Sequence, residues 1–294
     1  MKYAIGVDIG GTKISFVLLK NSRVIKTQKI VSPKNKKGII ETIEDNVKIM
    51  ISNLPKSEIL GIGLGVTGPL GKKRDVMLNP PNQKFLKGCP LAKILEQKLK
   101  MKTVMDNDVK CFTLGETLFG AGRGAEIVLG ITLGTGLGSG LAINGKLYRG
   151  NTGAAGELGH MIIKFDGPKC NCGNPGCFEE YGSQRFFKKM KYSPKELGIR
   201  AMAGEEKSLK IFREYGRYLG IGLGNAINIL DPEVIVLGGG IANVFHLFIK
   251  EARKQIKKIV ISPLAKEQVY IKKSKLGDFA GAIGAACLLW ENKK

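Results

Sequence analysis

Apolar residues follow one another along this chain in two periods. YAIGVDIG at 3–10, KISFVLL at 13–19 and RVIKTQKIV at 23–31, parted by a glycine turn and the polar turn KNS, predict three strands. Residues 39–54, IIETIEDNVKIMISNL, carry apolar side chains at helical spacing, and ILGIGLGV at 59–66 predicts a buried strand. PLAKILEQKLK at 90–100 predicts an amphipathic helix, TVMD at 103–106 a short strand, and 108–119 a helix ending near Gly120. A similar run restarts at about Glu126: strand IVLGITL, turn GTGLGSG, strand GLAI, an Asn144-Gly145 hairpin turn and strand KLYRG. Gly10 precedes the polar turn at Asn21 by 11 residues and Gly134 precedes Asn144 by 10, which predicts an internal repeat and two related lobes. A helix at about 205–230, strand VIVLG at 234–238, a helix at 242–258, strand VYIKK and the small-residue helix AGAIGAACLLW complete an alternating α/β chain.

The 294 residues, 43% hydrophobic, suffice for one large core or two ordinary ones. Asp8 interrupts the N-terminal apolar run, so no signal peptide is expected there, and a cytoplasmic location follows. The longest uncharged run, 127–143, is broken by glycines, threonines and a serine and predicts strands and turns; no membrane partner is expected. The net charge is +22, yet its clusters, 34–37, 72–74, 188–191 and 254–258, are scattered and lack interleaved aromatics. They fit solvated lysine-rich faces, and no nucleic-acid partner is expected.

Three glycine turns follow apolar strands: DIGGTK at 8–13, LGTGLGSG at 133–140 and LGGGIA at 237–242. Bare backbone N–H groups in such turns can converge on phosphate oxygens, although a tight β-turn alone explains any one of them. Two generic fingerprints fail. Gly63-x-Gly65-x-x-Gly68 is followed by Pro69 where a dinucleotide loop needs a helix, and Gly140-x4-Gly145-Lys146 continues with Leu147 instead of Ser or Thr. Asp108 by itself reads as an N-cap of the helix at 108–119. CNCGNPGC at 170–177 holds three of six cysteines; in a cytosolic chain such spacing fits zinc or reactive thiols equally, and His160 lies ten residues upstream. His246 and the scattered Cys89, Cys111 and Cys287 read as core residues.

Taken in order, DIGGTK, GPL with PPN at 68–82, DND at 106–108 followed by LGE, LGTGLGSG, GAAGELGH at 153–160, CNCGNPGCFEE and DPEVIVLGGG at 231–240 resemble the ROK family (repressor, open reading frame, kinase) of sugar kinases, above all its glucokinases. The resemblance covers nearly the whole chain. It implies an α/β fold of the actin-like, hexokinase-like ATPase type, two lobes of ribonuclease H-like βββαβα units with an interlobe cleft. The small lobe would take 1–117 with about 276–294, and the large lobe, with the zinc site, 118–275. The implied activity is transfer of the ATP γ-phosphoryl group to the 6-hydroxyl of glucose, with N-acetylmannosamine, N-acetylglucosamine and fructose as alternative sugars and polyphosphate as an alternative donor.

By the same resemblance Asp108 is the catalytic base, and Gly68, Asn82, Asn107, Asp108, Glu157, His160 and Glu179 meet the sugar. Asp8 meets Mg²⁺; Gly10, Gly11, Thr12, Lys13, Gly134, Thr135 and Gly136 meet the phosphates, and Gly239 and Gly240 the nucleoside side of ATP. His160, Cys170, Cys172 and Cys177 form a structural zinc site. From the residues alone, each of these acids is equally a surface charge and Asn82 a turn former; Glu180 reads as solvated, and Glu116 of LGE has no derivable role. Thr67 stands for a common Pro and Ser139 for a common Gly, and NQKF follows Asn82 where an aromatic-bearing segment is common, departures that bear on sugar preference. A homo-oligomer, dimer or tetramer, is expected. A sugar-responsive DNA-binding regulator is the remote alternative, since only seven residues precede Asp8 and leave no room for a helix-turn-helix.

Overall fold

The computed structural model describes residues 2–21, 23–190 and 192–291. Ser22 of the polar turn, Lys191 of the basic cluster at 188–191, and residues 1 and 292–294 of the expected small lobe lie outside them. The elements run β1 (Tyr3–Ile9), β2 (Lys13–Lys20), β3 (Arg23–Val31), α1 (Lys36–Ile51), β4 (Ile59–Val66), α2 (Leu91–Leu99), β5 (Thr103–Asn107) and α3 (Asp108–Phe119). They continue through β6 (Ile127–Leu133), β7 (Leu137–Ile143), β8 (Lys146–Tyr148), α4 (Phe178–Gly182), α5 (Pro194–Met202) and α6 (Glu206–Leu230). Last come β9 (Val234–Gly238), α7 (Phe245–Ile259), α8 (Pro263–Gln268), β10 (Tyr270–Lys273) and α9 (Ala280–Glu291).

Among the described residues the strands form two five-stranded sheets, ordered β3-β2-β1-β4-β5 and β10-β9-β6-β7-β8. In the first, β1–β2 and β2–β3 are antiparallel while β1–β4 and β4–β5 are parallel. The second repeats this plan, with β7–β8 antiparallel and β6–β9 and β9–β10 parallel. Even the turn chemistry recurs: Asn21 and Asn144 both take φ 51°, the left-handed conformation that Asn tolerates. The internal repeat and the actin-like, hexokinase-like α/β fold are thus present.

The residues group into two compact units, one of Met1–Gly124, Gly140–Ala155 and Lys275–Lys294, the other of Ala125–Ser139 and Gly156–Ser274. Residues 140–155 fall in the first because Leu147 of β8 is buried with Ala4, Leu114 and the apolar face of α9.

In the first unit the two-residue period of β1 divides the packing. Tyr3, Ile5, Val7 and Ile9 join Ile39, Ile43 and Val47 of α1 and Leu91 and Leu95 of α2. Ala4, on the other face, joins Cys111 and Leu114 of α3 and Ala282, Ala285 and Ala286 of α9. At Gly6 and Gly63 that second face has no room for a side chain. A Cβ on Gly6 would stand 1.8 Å from the Ala282 carbonyl oxygen, and one on Gly63 1.7 Å from that of Ala285, so α9 lies directly on the backbone of β1 and β4. Gly63 is therefore a packing glycine, in keeping with the rejected dinucleotide fingerprint. Asp8, an even-numbered residue, is sent by the same alternation toward α3 and α9.

The second unit packs α6 and α7 against β6 and β9, with Phe212, Tyr215, Leu219, Leu223 and Phe248 around Ile235 and Leu237. Each such side chain, fully buried, contributes about 1.5–3 kcal/mol. Tyr215 keeps its hydroxyl satisfied by donating to the Gly182 carbonyl at 2.8 Å.

Boundaries differ from expectation where a polar residue decides them. α1 starts at Lys36, three residues early, because the Asn35 side chain accepts from the Gly38 N–H and caps it. β7 resumes at Leu137, which shortens the second glycine turn to 134–136. The helix expected at 242–258 begins at Phe245, after a 3₁₀ turn over Gly240–Val244. Helices α4, α5 and α8 were not foreseen. No helix among the described residues is long and apolar enough to cross a membrane.

Candidate active site

In the first unit, β5 hands directly into α3, and the DND segment sits at that junction. The Asn107 side-chain oxygen accepts from the backbone N–H groups of Val109 and Lys110 at 3.0 and 3.2 Å, so Asn107 is the N-cap of α3. Asp108 becomes the first helical residue, a correction to its reading as the cap. Its Oδ1 accepts from the Val109 N–H at 2.9 Å. The Asn107 side-chain amide also donates to the Gly68 carbonyl at 3.3 Å, which joins two of the residues that the resemblance assigns to sugar.

Asp8 points into the same junction. Burial, and then the charge of Asp108, push its carboxyl up to about 8. Gly281, in the first turn of α9, forms a wall of this pocket: a Cβ there would lie 2.6 Å from Asp8 Oδ2. The glycine turn following Asp8 is closed by the Gly10 N–H donating to the Lys13 carbonyl at 3.0 Å, with Thr12 and Lys13 exposed. Asn82 lies against it, since a Cβ on Gly11 would stand 2.9 Å from the Asn82 Cβ. Gln83, which sequence reasoning missed, is 3% exposed and donates to the Gly10 carbonyl at 3.3 Å and to Ser32 at 3.2 Å.

Two further acids of this unit, both inside quoted motifs, had no role assigned from the sequence. Asp106 is 2% exposed. Its Oδ1 accepts from the Asn107 N–H at 2.8 Å, and its Oδ2 takes Arg149 Nε at 2.7 Å and Arg74 Nη1 at 3.2 Å. Arg149 also pairs with Glu291 of α9. Arg74 was expected on a solvated basic face; the buried carboxylate draws it inward instead. Glu116 is fully buried and accepts from the backbone N–H groups of Ala121, Lys275 and Leu276 at 2.7, 3.3 and 2.9 Å. That gives it a bracing role, joining the C-terminal end of α3 to the approach to α9.

In the second unit, Glu179 sits in the first turn of α4. Its Oε2 accepts from the Leu137 N–H at 3.0 Å, and its Oε1 meets Arg185 Nη2 at 2.9 Å. Gly136 must be glycine, because a Cβ there would stand 2.3 Å from Glu179 Oε2. The turn 134–136 is also held by the Gly134 N–H donating to Gly136 at 3.0 Å and by the Gln184 N–H donating to the Gly134 carbonyl at 2.8 Å. Glu180, expected to be solvated, pairs with the other side of the Arg185 guanidinium. Glu157 is exposed just before the short turn that carries His160, and Gly239 (φ 82°) and Gly240 follow β9.

The ligand atoms of His160, Cys170, Cys172 and Cys177 all lie within 4.8 Å of one another, a set that could hold a metal ion. Cys172 Sγ is 3.5 Å from Cys177 Sγ, and Cys170 Sγ is 3.9 Å from His160 Nδ1. A tetrahedral zinc with bonds of about 2.3 Å to sulfur has S···S edges of about 3.8 Å, close to the two separations given, so the donor set suits such an ion. The knuckle is shaped by the Cys170 N–H donating to Asn174 at 2.9 Å and by bridges pairing Ile162 with Cys177 and Lys169 with Pro175. The Asn174 N–H leads in drawing the Cys172 thiol down to about 7, whereas burial pushes Cys177 up to about 12. Metal uptake here must therefore release protons.

A sequence model of the ROK family matches residues 4–292. A glucokinase of Streptomyces coelicolor is 31% identical over 99% of this chain and 98% of its own length. A xylose repressor of Bacillus subtilis is 28% identical over 98% of this chain and 77% of its own length. Among solved structures, a ROK family glucokinase from Streptomyces griseus in complex with glucose and AMPPNP aligns with a TM-score of 0.83 and 32% identity, covering 97% of this chain and 98% of that one.

Proposed function

The chain belongs to the ROK family, and we propose that within it this protein is a sugar kinase, transferring the γ-phosphoryl group of ATP to the 6-hydroxyl of glucose. The observation that carries this reading is the junction of β5 and α3. Asn107 takes over the capping, and Asp108 stands as a carboxylate beside a second acid, Asp8.

Phosphoryl transfer asks for positioning, charge stabilisation and a proton acceptor. Asp108 takes the proton of the sugar's 6-hydroxyl, whose oxygen attacks the γ-phosphorus as the bond to ADP breaks. Sugar hydroxyls are met by Gly68, Asn82, Asn107, Glu157, His160 and Glu179. Glu179 retains acceptor capacity, because a carboxylate has about four lone-pair positions, of which Leu137 engages one on Oε2 and Arg185 and the Cys170 thiol two on Oε1. Gly10, Gly11, Thr12, Lys13, Gly134, Thr135 and Gly136 serve the phosphates, and Gly239 and Gly240 the nucleoside side. Asp8 would hold Mg²⁺, directly or through water, and the ion would neutralise phosphate charge.

Release of ADP from Mg-ATP, measured with glucose, mannose, fructose, N-acetylglucosamine and N-acetylmannosamine, tests the reading. Turnover highest with glucose is expected; turnover with an N-acetylhexosamine or fructose alone reassigns the sugar. The similarity to a xylose repressor favours a second reading, a sugar-responsive regulator. Sugar binding with no ADP release from any of these sugars would select it.

Zinc at His160, Cys170, Cys172 and Cys177 would be architectural, since four protein ligands leave no open position for water. Glu157 and Glu179 flank the ligands in sequence, so the ion would fix both. Elemental analysis is expected to give about one zinc per chain, lost in Cys172→Ser together with part of the sugar affinity. A full complement of zinc in that variant would remove Cys172 from the ligand set.

A further inference from the structure

The loop between β4 and α2 is not a simple connection. Residues 69–78 fold back as a small hairpin: Leu70 bridges Met77, the Gly71 N–H donates to Val76 at 3.0 Å, and the Leu78 N–H donates to Pro69 at 2.9 Å. Arg74 lies in its turn with φ 55°, a left-handed conformation that is unfavourable for a residue bearing a side chain of its kind. From that position its guanidinium reaches Asp106, two residues before Asp108.

The loop is fastened at its other end as well. Gly68 is held by Asn107, and Gln83 by the first glycine turn. Between those anchors the hairpin is seated by Met77, 1% exposed, whose carbonyl accepts from the Gly88 N–H at 2.8 Å, and Arg74 ties down its turn. Asp106, with a side chain 3% exposed, and Glu291, 9% exposed, share the Arg149 guanidinium, so two buried carboxylates face one cation. Arg74, 33% exposed, supplies the second positive charge and in doing so ties its loop to Asp106.

We propose that Arg74 and Asp106 form a latch that fixes the 68–82 loop against the base-bearing junction, making both of them positioning residues for the sugar. The kinetic consequence rests on the sugar-kinase reading; the latch itself does not. A slack hairpin would displace Gly68 and Asn82, which the sugar meets, while the glycine turns that serve the phosphates keep their own hydrogen bonds.

The test compares Arg74→Ala, Arg74→Gly and Arg74→Lys with the unaltered protein by steady-state kinetics and by amide hydrogen exchange. Ala and Gly are expected to raise the sugar KM about ten- to hundredfold while the Mg-ATP KM stays within about twofold, and Lys, which restores the charge, to recover part of the loss. Exchange at Gly71 and Leu78 should quicken in Ala and Gly, with α3 unchanged. An unchanged sugar KM, a parallel rise of both KM values, or unchanged exchange in the hairpin would overturn the latch. So would recovery in Arg74→Gly, which would trace the effect to the left-handed backbone instead. If the unaltered protein turns over no sugar, the kinase reading fails and the exchange comparison alone decides the latch.

Discussion

Asp108→Asn is expected to lower sugar-dependent ADP release by about 10²- to 10⁴-fold while leaving the thermal midpoint nearly unchanged. The two halves of that expectation have separate causes. Loss of the carboxylate removes the proton acceptor, which an amide cannot replace near neutral pH. Stability is spared because Asn107, not Asp108, supplies the side-chain oxygen that caps α3. The Asp108 Oδ1 bond to the Val109 N–H is one an amide oxygen can also make. Asn107→Ala is the contrasting control. It removes the cap and should cost about 1 kcal/mol, with a smaller effect on the chemical step. Full turnover in Asp108→Asn, or collapse of its fold, would remove Asp108 from the role of base.

Asp8→Asn is expected to raise stability above pH 8 and at the same time to lower turnover about 10²- to 10³-fold. The carboxyl of Asp8 is pushed from an ordinary 3.8 to about 8, so folding favours its protonated form. The stability this group lends is complete below about 3.8 and is lost as pH rises to about 8. An amide carries no such charge, so the variant should gain on the order of a few kcal/mol at pH 9 and roughly a third of that at pH 5. Thermal melts at the two pH values read this directly; equal differences between variant and parent at both would remove the buried-carboxylate explanation. On the proposed role of Asp8, direct Mg²⁺ ligation would displace that proton, and Mg-ATP affinity in the parent would then strengthen as pH rises toward 8.

Much of this architecture was legible in the sequence because it is local. The strands at 59–66 and 127–133 and the helix at 108–119 follow from apolar period and flanking glycines, and the structure has them at those residues. The cluster of His160, Cys170, Cys172 and Cys177 proposed to hold zinc could be assembled from cysteine spacing, a nearby histidine and the family resemblance. The cap of α3 could not, since Asn107 and Asp108 are adjacent and both residue types cap well; only the backbone turn decides between them. Illegible altogether were the partners of Asp106, Glu116 and Glu179. Arg74 and Arg149 meet Asp106 from positions 32 and 43 residues away, and Leu276 meets Glu116 from 160 residues away. Charge pairs and backbone donors at such separations leave no periodic trace. Arg185 lay close in sequence to Glu179 and Glu180, but α4 was hidden in a glycine-rich stretch with no helical stripe.

The seating of α9 on bare strand backbone also governs when the protein can work. The wall of the Asp8 pocket, Gly281, and the helix that covers Gly6 and Gly63 are translated roughly 270 residues after Asp8 itself. At ~5–20 residues per second, on the order of tens of seconds separate the two. Throughout that interval one face of the first sheet is uncovered and the carboxylate pocket lacks one side. A growing chain therefore cannot enclose Asp8 until α9 has been made.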